Sequence, residues 1–190
     1  KVIAMIPARY AATRFPGKLM QDLNGKTVIT RTYESALKTG LFEDVFVVTD
    51  SQIIYDEIIA QGGKAILSKT EHECGSDRIA EAVEDMDIDI VVNVQGDEPF
   101  IEPETIQTLI THLQTSKHDM VTLKTPITSL AEFQDPNVVQ VVCNNLNQAL
   151  YFSRASIPYN RKNKSDYKHA FRHLGLYGYR MNVLQELTKA

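Results

Sequence analysis

The sequence predicts an α/β fold in which a mixed, mostly parallel sheet is flanked by helices. In its first half, short runs of β-branched residues alternate with amphipathic helical patterns, which is typical of βαβ units. Beyond Asp119 the pattern changes to short strands joined by polar turns, and such turns predict hairpins. The sheet is therefore expected to combine both kinds of connection within one domain that spans residues 1–190.

Alternating strands and helices account for the first half of the chain. Strands are predicted at "VIAMI", "VFVVT", "KAIL" and "IDIVVNV", and helices at "TVITRTYESALKTG", "SQIIYDEIIAQGG" and "SDRIAEAVEDM". Thr27 and Ser51 are suited to cap helix N-termini, because their hydroxyls can accept hydrogen bonds from free backbone N–H groups. Gly40 and Gly62 are suited to end helices, and Pro103 to begin the next one.

Hairpin strands predominate in the second half. Strands are predicted at "MVTLKTPI", "VVQVVC" and "ALYFSRA", with a turn at "NNLNQ" and an exposed, flexible loop at "YNRKNKSDYKH". The alternating stretch "RHLGLYGYR" leads into the helical pattern "MNVLQELTKA". Since the chain stops inside this pattern, we expect the native polypeptide to continue.

Composition narrows the range of functions. The 190 residues are 43% hydrophobic and 23% charged, as in ordinary globular proteins. A net charge of −4 argues against a general nucleic-acid surface, so any anion site must be local. Neither a membrane-spanning run nor a signal peptide is evident. Two cysteines without a CxxC pair suit a reducing, cytoplasmic compartment.

A long loop after the first strand, "IPARYAATRFPGKL", carries Arg9, Arg14 and Lys18. In open parallel sheets ligands bind at the carboxyl ends of the strands, so these cations could hold a triphosphate. The loop lacks GxGxxG, which argues against a nicotinamide dehydrogenase. "NGKT" ends like a P-loop, but Met20 stands where that motif requires glycine, which argues against a P-loop enzyme.

Two further loops lie at carboxyl ends of predicted strands. In "TEHECGSDRIAEA" a helix N-terminus near Ser76 could hold an anion, although Ser76 by itself is explained as an N-cap. The spacing of "HEC" matches no common metal site. In "NVQGDEPFI", Gly96 allows close backbone approach, and Asp97 is placed to bind Mg²⁺ beside phosphates. Glu98 precedes Pro99 and is expected to turn away.

Five stretches in this order, "IPARYAATRFPGKL", "GSDR", "NVQGDEPFI", "ALYFSRASIP" and "RHLGLYGYR", resemble the 3-deoxy-manno-octulosonate (Kdo) cytidylyltransferase family, the CMP-Kdo synthetases. The resemblance implies a Rossmann-like fold of the nucleotide-diphospho-sugar transferase type. It also implies that CTP and Kdo are coupled to CMP-Kdo and pyrophosphate for lipopolysaccharide biosynthesis, with Mg²⁺ as cofactor and a homodimer as the usual assembly.

The resemblance also assigns residues to roles. Arg9, Lys18 and Asp97 would be catalytic, with Asp97 as the magnesium ligand. The remaining assignments, by role, are Ala8, Arg9, Arg14, Lys18, Ser76, Arg78 and Gln95 for the nucleotide, and Gln95, Arg154, His173 and Tyr177 for the sugar. In the family a later segment carries a second metal-binding aspartate, which we expect to follow Ala190 in the native polypeptide.

The hypothesis for the reaction is in-line attack of the anomeric hydroxyl of Kdo on the α-phosphorus of CTP. No general base is identified, although His173 is a candidate by residue type. Three alternatives remain open: a cytidylyltransferase for another acidic 2-keto sugar such as sialic acid or an amino-substituted Kdo, a non-catalytic nucleotide-binding module, and a glycosyltransferase of related fold.

Overall fold

The structure is a computed structural model that describes residues 1–11, 16–72 and 74–188. The chain divides into two compact units: residues 1–121 together with 176–190 form the first unit, and residues 122–175 form the second. The prediction of one domain over 1–190 stays a prediction, since two compact units of one chain can still fold together. No helix in the described part of the chain is long and apolar enough to cross a membrane.

The first unit contains the parallel part of the sheet. Its strands are β1 (Val2–Ala8), β2 (Asp44–Thr49), β3 (Ala65–Leu67) and β4 (Ile90–Asn93). They pair in parallel in the order β3-β2-β1-β4, and the last residues of β8 (Phe171–Arg180) pair antiparallel with β4. The predicted mixed, mostly parallel sheet is therefore confirmed for the strands that precede and include β4.

Helices connect these strands and flank the sheet. They are α1 (Val28–Lys38), α2 (Gln52–Ala60), α3 (Gly75–Val83), α4 (Pro103–Thr115) and, after β8, α6 (Met181–Leu187). Thr27 caps α1 by accepting from the N–H of Thr30, and Ser51 caps α2 by accepting from Ile54. The predicted cap at Ser76 is wrong, because α3 begins at Gly75 with Cys74 at the N-cap position.

The core of the first unit lies between the sheet and its helices. Every residue of β4 is buried, as expected for a parallel strand covered on both faces. Helix α4 packs closely on the sheet at Gly178, since an added Cβ would lie only 2.4 Å from Leu109 Cδ2 and 2.5 Å from Leu113 Cδ1 of α4. One cluster of this core comprises Ile3, Met5, Val48, Ile79, Ala80, Val83, Val91, Tyr179 and Leu184.

The second unit consists mainly of antiparallel strands. β6 (Gln140–Cys143) and β7 (Ala149–Ser153) form the predicted hairpin, while β6 and β5 (Met120–Pro126) both pair with β8. The short helix α5 (Leu130–Gln134) was not predicted from the sequence. Residues 154–170, all of which are described, contain neither helix nor strand, in agreement with the predicted loop.

Candidate functional site

Two predicted loops meet at the carboxyl edge of the first unit's sheet. Lys18 lies in the loop after β1 and Asp97 in the loop after β4, and the ammonium Nζ donates to Asp97 Oδ2 over 2.6 Å. About half of each side chain remains accessible, 52% for Lys18 and 45% for Asp97. The expectation that a carboxylate faces the basic loop thus agrees with the structure. Arg14 falls outside the described residues.

The backbone before Asp97 is held tightly against its neighbours. Gly96 has no side chain, and an added Cβ would lie 3.2 Å from both the Pro7 carbonyl oxygen and Leu19 Cδ1. Its own carbonyl accepts a buried hydrogen bond of 2.8 Å from the Thr32 hydroxyl on α1. A side chain at this position would crowd both neighbours, so glycine suits the close approach that was predicted, and this approach helps to fix where the carboxylate of Asp97 emerges.

Glu98, the residue after Asp97, lies in a turn. Its N–H closes a turn on the carbonyl of Gln95 over 3.1 Å, and the residue is exposed whereas Gln95 is partly buried. Of these two adjacent carboxylates, Asp97 is the one that pairs with the basic loop among the residues that the structure describes.

Arg9 lies immediately after β1, next to the buried residue Ala8. The Arg9 guanidinium donates to the backbone carbonyl of His72 over 2.7 Å. Arg9 is exposed, so its remaining N–H groups can reach an anion at the sheet edge.

Arg78 stands behind this edge. Its side chain is fully buried, with the guanidinium 2.6 Å from Asp50 Oδ2 and 3.4 Å from the Ala8 carbonyl oxygen. The hydrogen bond from Arg78 holds the pKa of Asp50 below its ordinary value. In the structure this guanidinium supports Ala8 and Asp50 from behind the sheet edge. Direct contact between Arg78 and the nucleotide stays a prediction.

The N-terminus of α3 packs against the end of β1, where Gly75 lies so close that an added Cβ would meet Pro7 Cγ at 3.0 Å. The hydroxyl of Ser76 is 3.4 Å from that of Tyr179. The Tyr179 ring stacks on Tyr177, with centroids 6.1 Å apart at 15°, and burial raises the pKa of both phenols. Predicted residues Ser76 and Tyr177 are thus joined through Tyr179, which had not been predicted as a site residue.

His173 belongs to the second unit and is well packed there. Its Nε2 is 2.8 Å from the Thr122 hydroxyl, and its ring meets Phe152 edge-on with centroids 4.9 Å apart. Burial lowers the pKa of His173 below its usual 6.5, so the imidazole is neutral at pH 7. A neutral, hydrogen-bonded imidazole is suited to orient a polar group.

Arg154, also in the second unit, has a structural role. Its guanidinium donates to the backbone carbonyls of Pro136 over 3.3 Å and Asn137 over 3.0 Å. Arg154 is exposed, so N–H groups not used by the turn remain accessible for an anion.

The described residues contain no group of three or more His, Cys, Asp and Glu side chains that could hold a metal ion. Mg²⁺ in nucleotide sites commonly takes only one or two protein carboxylates and obtains its other ligands from phosphates and water. The single half-exposed carboxylate of Asp97 fits that kind of site.

Comparison with known proteins identifies relatives of this chain. A family model described as cytidylyltransferase matches residues 3–190. The 3-deoxy-manno-octulosonate cytidylyltransferase of Christiangramia forsetii is 53% identical over 100% of this chain and 77% of its own length. The enzyme of the same name from Flavobacterium johnsoniae is 55% identical over 97% of this chain and 76% of its own length.

A solved structure shows the same fold. It is that of CMP:2-keto-3-deoxy-manno-octonic acid synthetase complexed with CTP, which superposes with a TM-score of 0.90 at 39% identity and covers 100% of this chain and 78% of that chain. Since the family model spans nearly every residue and the relatives exceed half identity, the chain belongs to the 3-deoxy-manno-octulosonate cytidylyltransferase family.

Proposed function

We propose that the chain transfers the cytidylyl group of CTP to Kdo, giving CMP-Kdo and pyrophosphate for lipopolysaccharide biosynthesis. Relatives that carry this name match over almost the whole chain, and the synthetase of similar structure was solved with CTP. The structural observation that carries the proposal is the pairing of Lys18 with Asp97 at the carboxyl edge of the sheet, because a triphosphate requires a movable cation and a metal-binding carboxylate at one place.

The reaction proceeds by in-line displacement. The anomeric oxygen of Kdo forms a bond to the α-phosphorus, the bond from that phosphorus to the bridging oxygen breaks, and the hydroxyl proton is released. Arg9 and Lys18 bind and neutralise the phosphates, and positioning supplies most of the rate enhancement. Mg²⁺ held by Asp97 and the phosphates would add charge neutralisation at the α-phosphoryl group.

Roles are also proposed for the other predicted residues, each taken by itself. Gln95 and Ser76 lie on loops or helix ends of the first unit at the same edge as Asp97, which supports roles in placing the nucleotide or sugar. The neutral imidazole of His173 and the phenol of Tyr177 are proposed to donate or accept hydrogen bonds at sugar hydroxyls. Arg154 is proposed to attract the sugar carboxylate.

A homodimer and a cytoplasmic location are also proposed. The β6–β7 hairpin exposes 75% of Leu146, 66% of Leu150 and 64% of Tyr151, and large apolar side chains exposed in this way suit contact with a second copy of the chain. Both cysteines, Cys74 and Cys143, are free, which is consistent with a reducing compartment.

The experiment is pyrophosphate release by the full-length polypeptide with CTP, Mg²⁺ and a panel of acidic sugars. We expect release with Kdo and little with sialic acid or amino-substituted Kdo. Preference for another sugar would overturn the assignment of Kdo, and CTP binding without turnover on any sugar would favour a non-catalytic module.

The metal site is tested by Asp97→Asn, with Glu98→Gln as the matched control because it removes an adjacent, exposed carboxylate. Loss of one transition-state stabilising group commonly lowers turnover about 100-fold or more, and we expect this for Asp97→Asn alone. Unchanged turnover at saturating Mg²⁺ would refute the role of Asp97 as a metal ligand.

A further inference from the structure

The position of the Arg9 guanidinium depends on a segment that has no regular secondary structure of its own. Residues 69–72 lie between β3 and α3. Arg9 is exposed and follows the last residue of β1, and its side chain donates a hydrogen bond to the backbone carbonyl of His72. Among the described residues, this long side chain with many rotamers is thus oriented by one carbonyl oxygen, and other contacts must fix the position of that oxygen.

Glu81, on α3, fixes that segment with both of its carboxylate oxygens. Oε1 accepts from the backbone N–H of Lys69 over 2.6 Å. Oε2 lies 2.8 Å from the Thr70 hydroxyl and 2.8 Å from His72 Nε2. Glu81 and His72 are each largely enclosed, with side chains 16% and 15% accessible. One carboxylate therefore contacts residues 69–72 at three atoms and holds in place the segment whose last carbonyl accepts the hydrogen bond from Arg9.

The carboxylate of Glu81 belongs to a helix that is packed into the core. Helix α3 buries Arg78, Ile79, Ala80 and Val83, so the backbone of Glu81 moves with the core of the first unit. Hydrogen bonds to an ionised acceptor are stronger than those between neutral groups. Although burial of Glu81, the largest single influence, raises its pKa, the bonds from Lys69, Thr70 and His72 together lower the pKa to about 2. The group is thus fully ionised at neutral pH.

We propose that Glu81 is a positioning residue for the transferase reaction: by holding residues 69–72 it orients the guanidinium of Arg9 toward the phosphates of CTP. The inference rests on the proposed function and adds a residue that touches neither substrate. Glu81 would act by pre-organising Arg9, because an arginine that is already oriented loses less conformational freedom when the triphosphate binds.

The test compares calorimetric CTP binding, and KM for each substrate, between wild type and Glu81→Gln. The substitution keeps the side-chain shape and one acceptor oxygen but removes the charge and the second acceptor. We expect CTP binding to weaken about tenfold, equivalent to about 1.4 kcal/mol, while KM for Kdo stays unchanged. Glu84→Gln, an exposed glutamate on the same helix end, is the matched control and should bind CTP as wild type does.

A double-mutant cycle with Arg9→Ala shows whether Glu81 acts through Arg9. If it does, Glu81→Gln weakens CTP binding in the wild-type background and has no further effect once the Arg9 side chain is removed. Equal, additive losses in both backgrounds would overturn the proposal, as would unchanged CTP binding by Glu81→Gln.

If Glu81→Gln does not fold, Thr70→Val is the second variant, because it removes one of the three contacts at an exposed residue. We expect it to weaken CTP binding about threefold, and unchanged CTP binding would count against the proposal. Failure of the wild type to bind CTP at all would instead overturn the proposed function and this inference with it.

Discussion

The ion pair between Asp50 and Arg78 should be costly to break from one side and much less costly from the other. Arg78 has no accessible side-chain surface, whereas 36% of the Asp50 side chain reaches solvent. Asp50→Ala strands a buried guanidinium that also contacts the Ala8 carbonyl at 3.4 Å, and stranding a buried charge costs about 3–5 kcal/mol. Arg78→Met leaves a carboxylate that water can solvate, so we expect a loss of only about 1–2 kcal/mol.

The free energies of unfolding are measured by urea denaturation at pH 7 for both single variants and for the double variant. We expect Asp50→Ala to be the less stable single variant by about 2 kcal/mol, and the double variant to lose less than the sum of the two. Asp44→Ala provides the control, because it breaks an exposed pair with Lys64 that is worth about 1 kcal/mol or less. A larger loss for Arg78→Met than for Asp50→Ala, or strict additivity, would refute the reasoning.

Three further predictions concern packing, acid stability and assembly. Gly178→Ala should destabilise the fold by about 1–3 kcal/mol in thermal or urea unfolding, because the new methyl group overlaps α4; an unchanged midpoint would contradict the observed packing. Since the pKa of Glu81 is lowered from 4.5 to about 2, its contribution of about 3 kcal/mol is complete above pH 4.5 and is lost as the pH falls toward 2. Urea titrations at pH 7 and pH 3 should therefore differ less in Glu81→Gln than in wild type, and an equal difference would count against this linkage. If the proposed homodimer forms through the β6–β7 hairpin, Leu150→Asp should shift its sedimentation to that of a monomer; a dimer that persists would place the interface elsewhere, and a monomeric wild type would refute the proposed dimer.

Much of the fold could be predicted because local patterns and tertiary demands agree. Thr27 and Ser51 cap the helices they precede, and Gly40 and Gly62 adopt left-handed backbone with φ of 67° and 77° where α1 and α2 end. Helix α5 was missed because five residues are too few for helical periodicity to be distinguished from a turn.

The sequence indicates where the candidate site lies, but not which residues behind it are buried. The loops after β1 and β4 carry residue types that indicate anion and metal chemistry, and parallel strands necessarily bring their carboxyl ends to one edge. The burial of Arg78 depends on Asp50, which lies on a different loop, and no local pattern shows that the two will pair. The same holds for Glu81, whose partners at residues 69–72 become neighbours only when α3 packs on the sheet.

The two Asp–cation pairs near the sheet edge have opposite physical roles. Lys18 and Asp97 are both about half accessible, and exposed pairs contribute at most about 1 kcal/mol to stability. In the proposed reaction, such a pair would hold both charges near their working positions and would still separate readily once phosphates attract Lys18 and Mg²⁺ attracts Asp97. In the pair between Arg78 and Asp50 the arginine is buried, so opening this pair would cost far more free energy. It can therefore hold the end of β1 fixed while Lys18 and Asp97 separate. Asp97→Asn should therefore lower activity without lowering stability, whereas the first effect of Asp50→Ala should be a loss of stability.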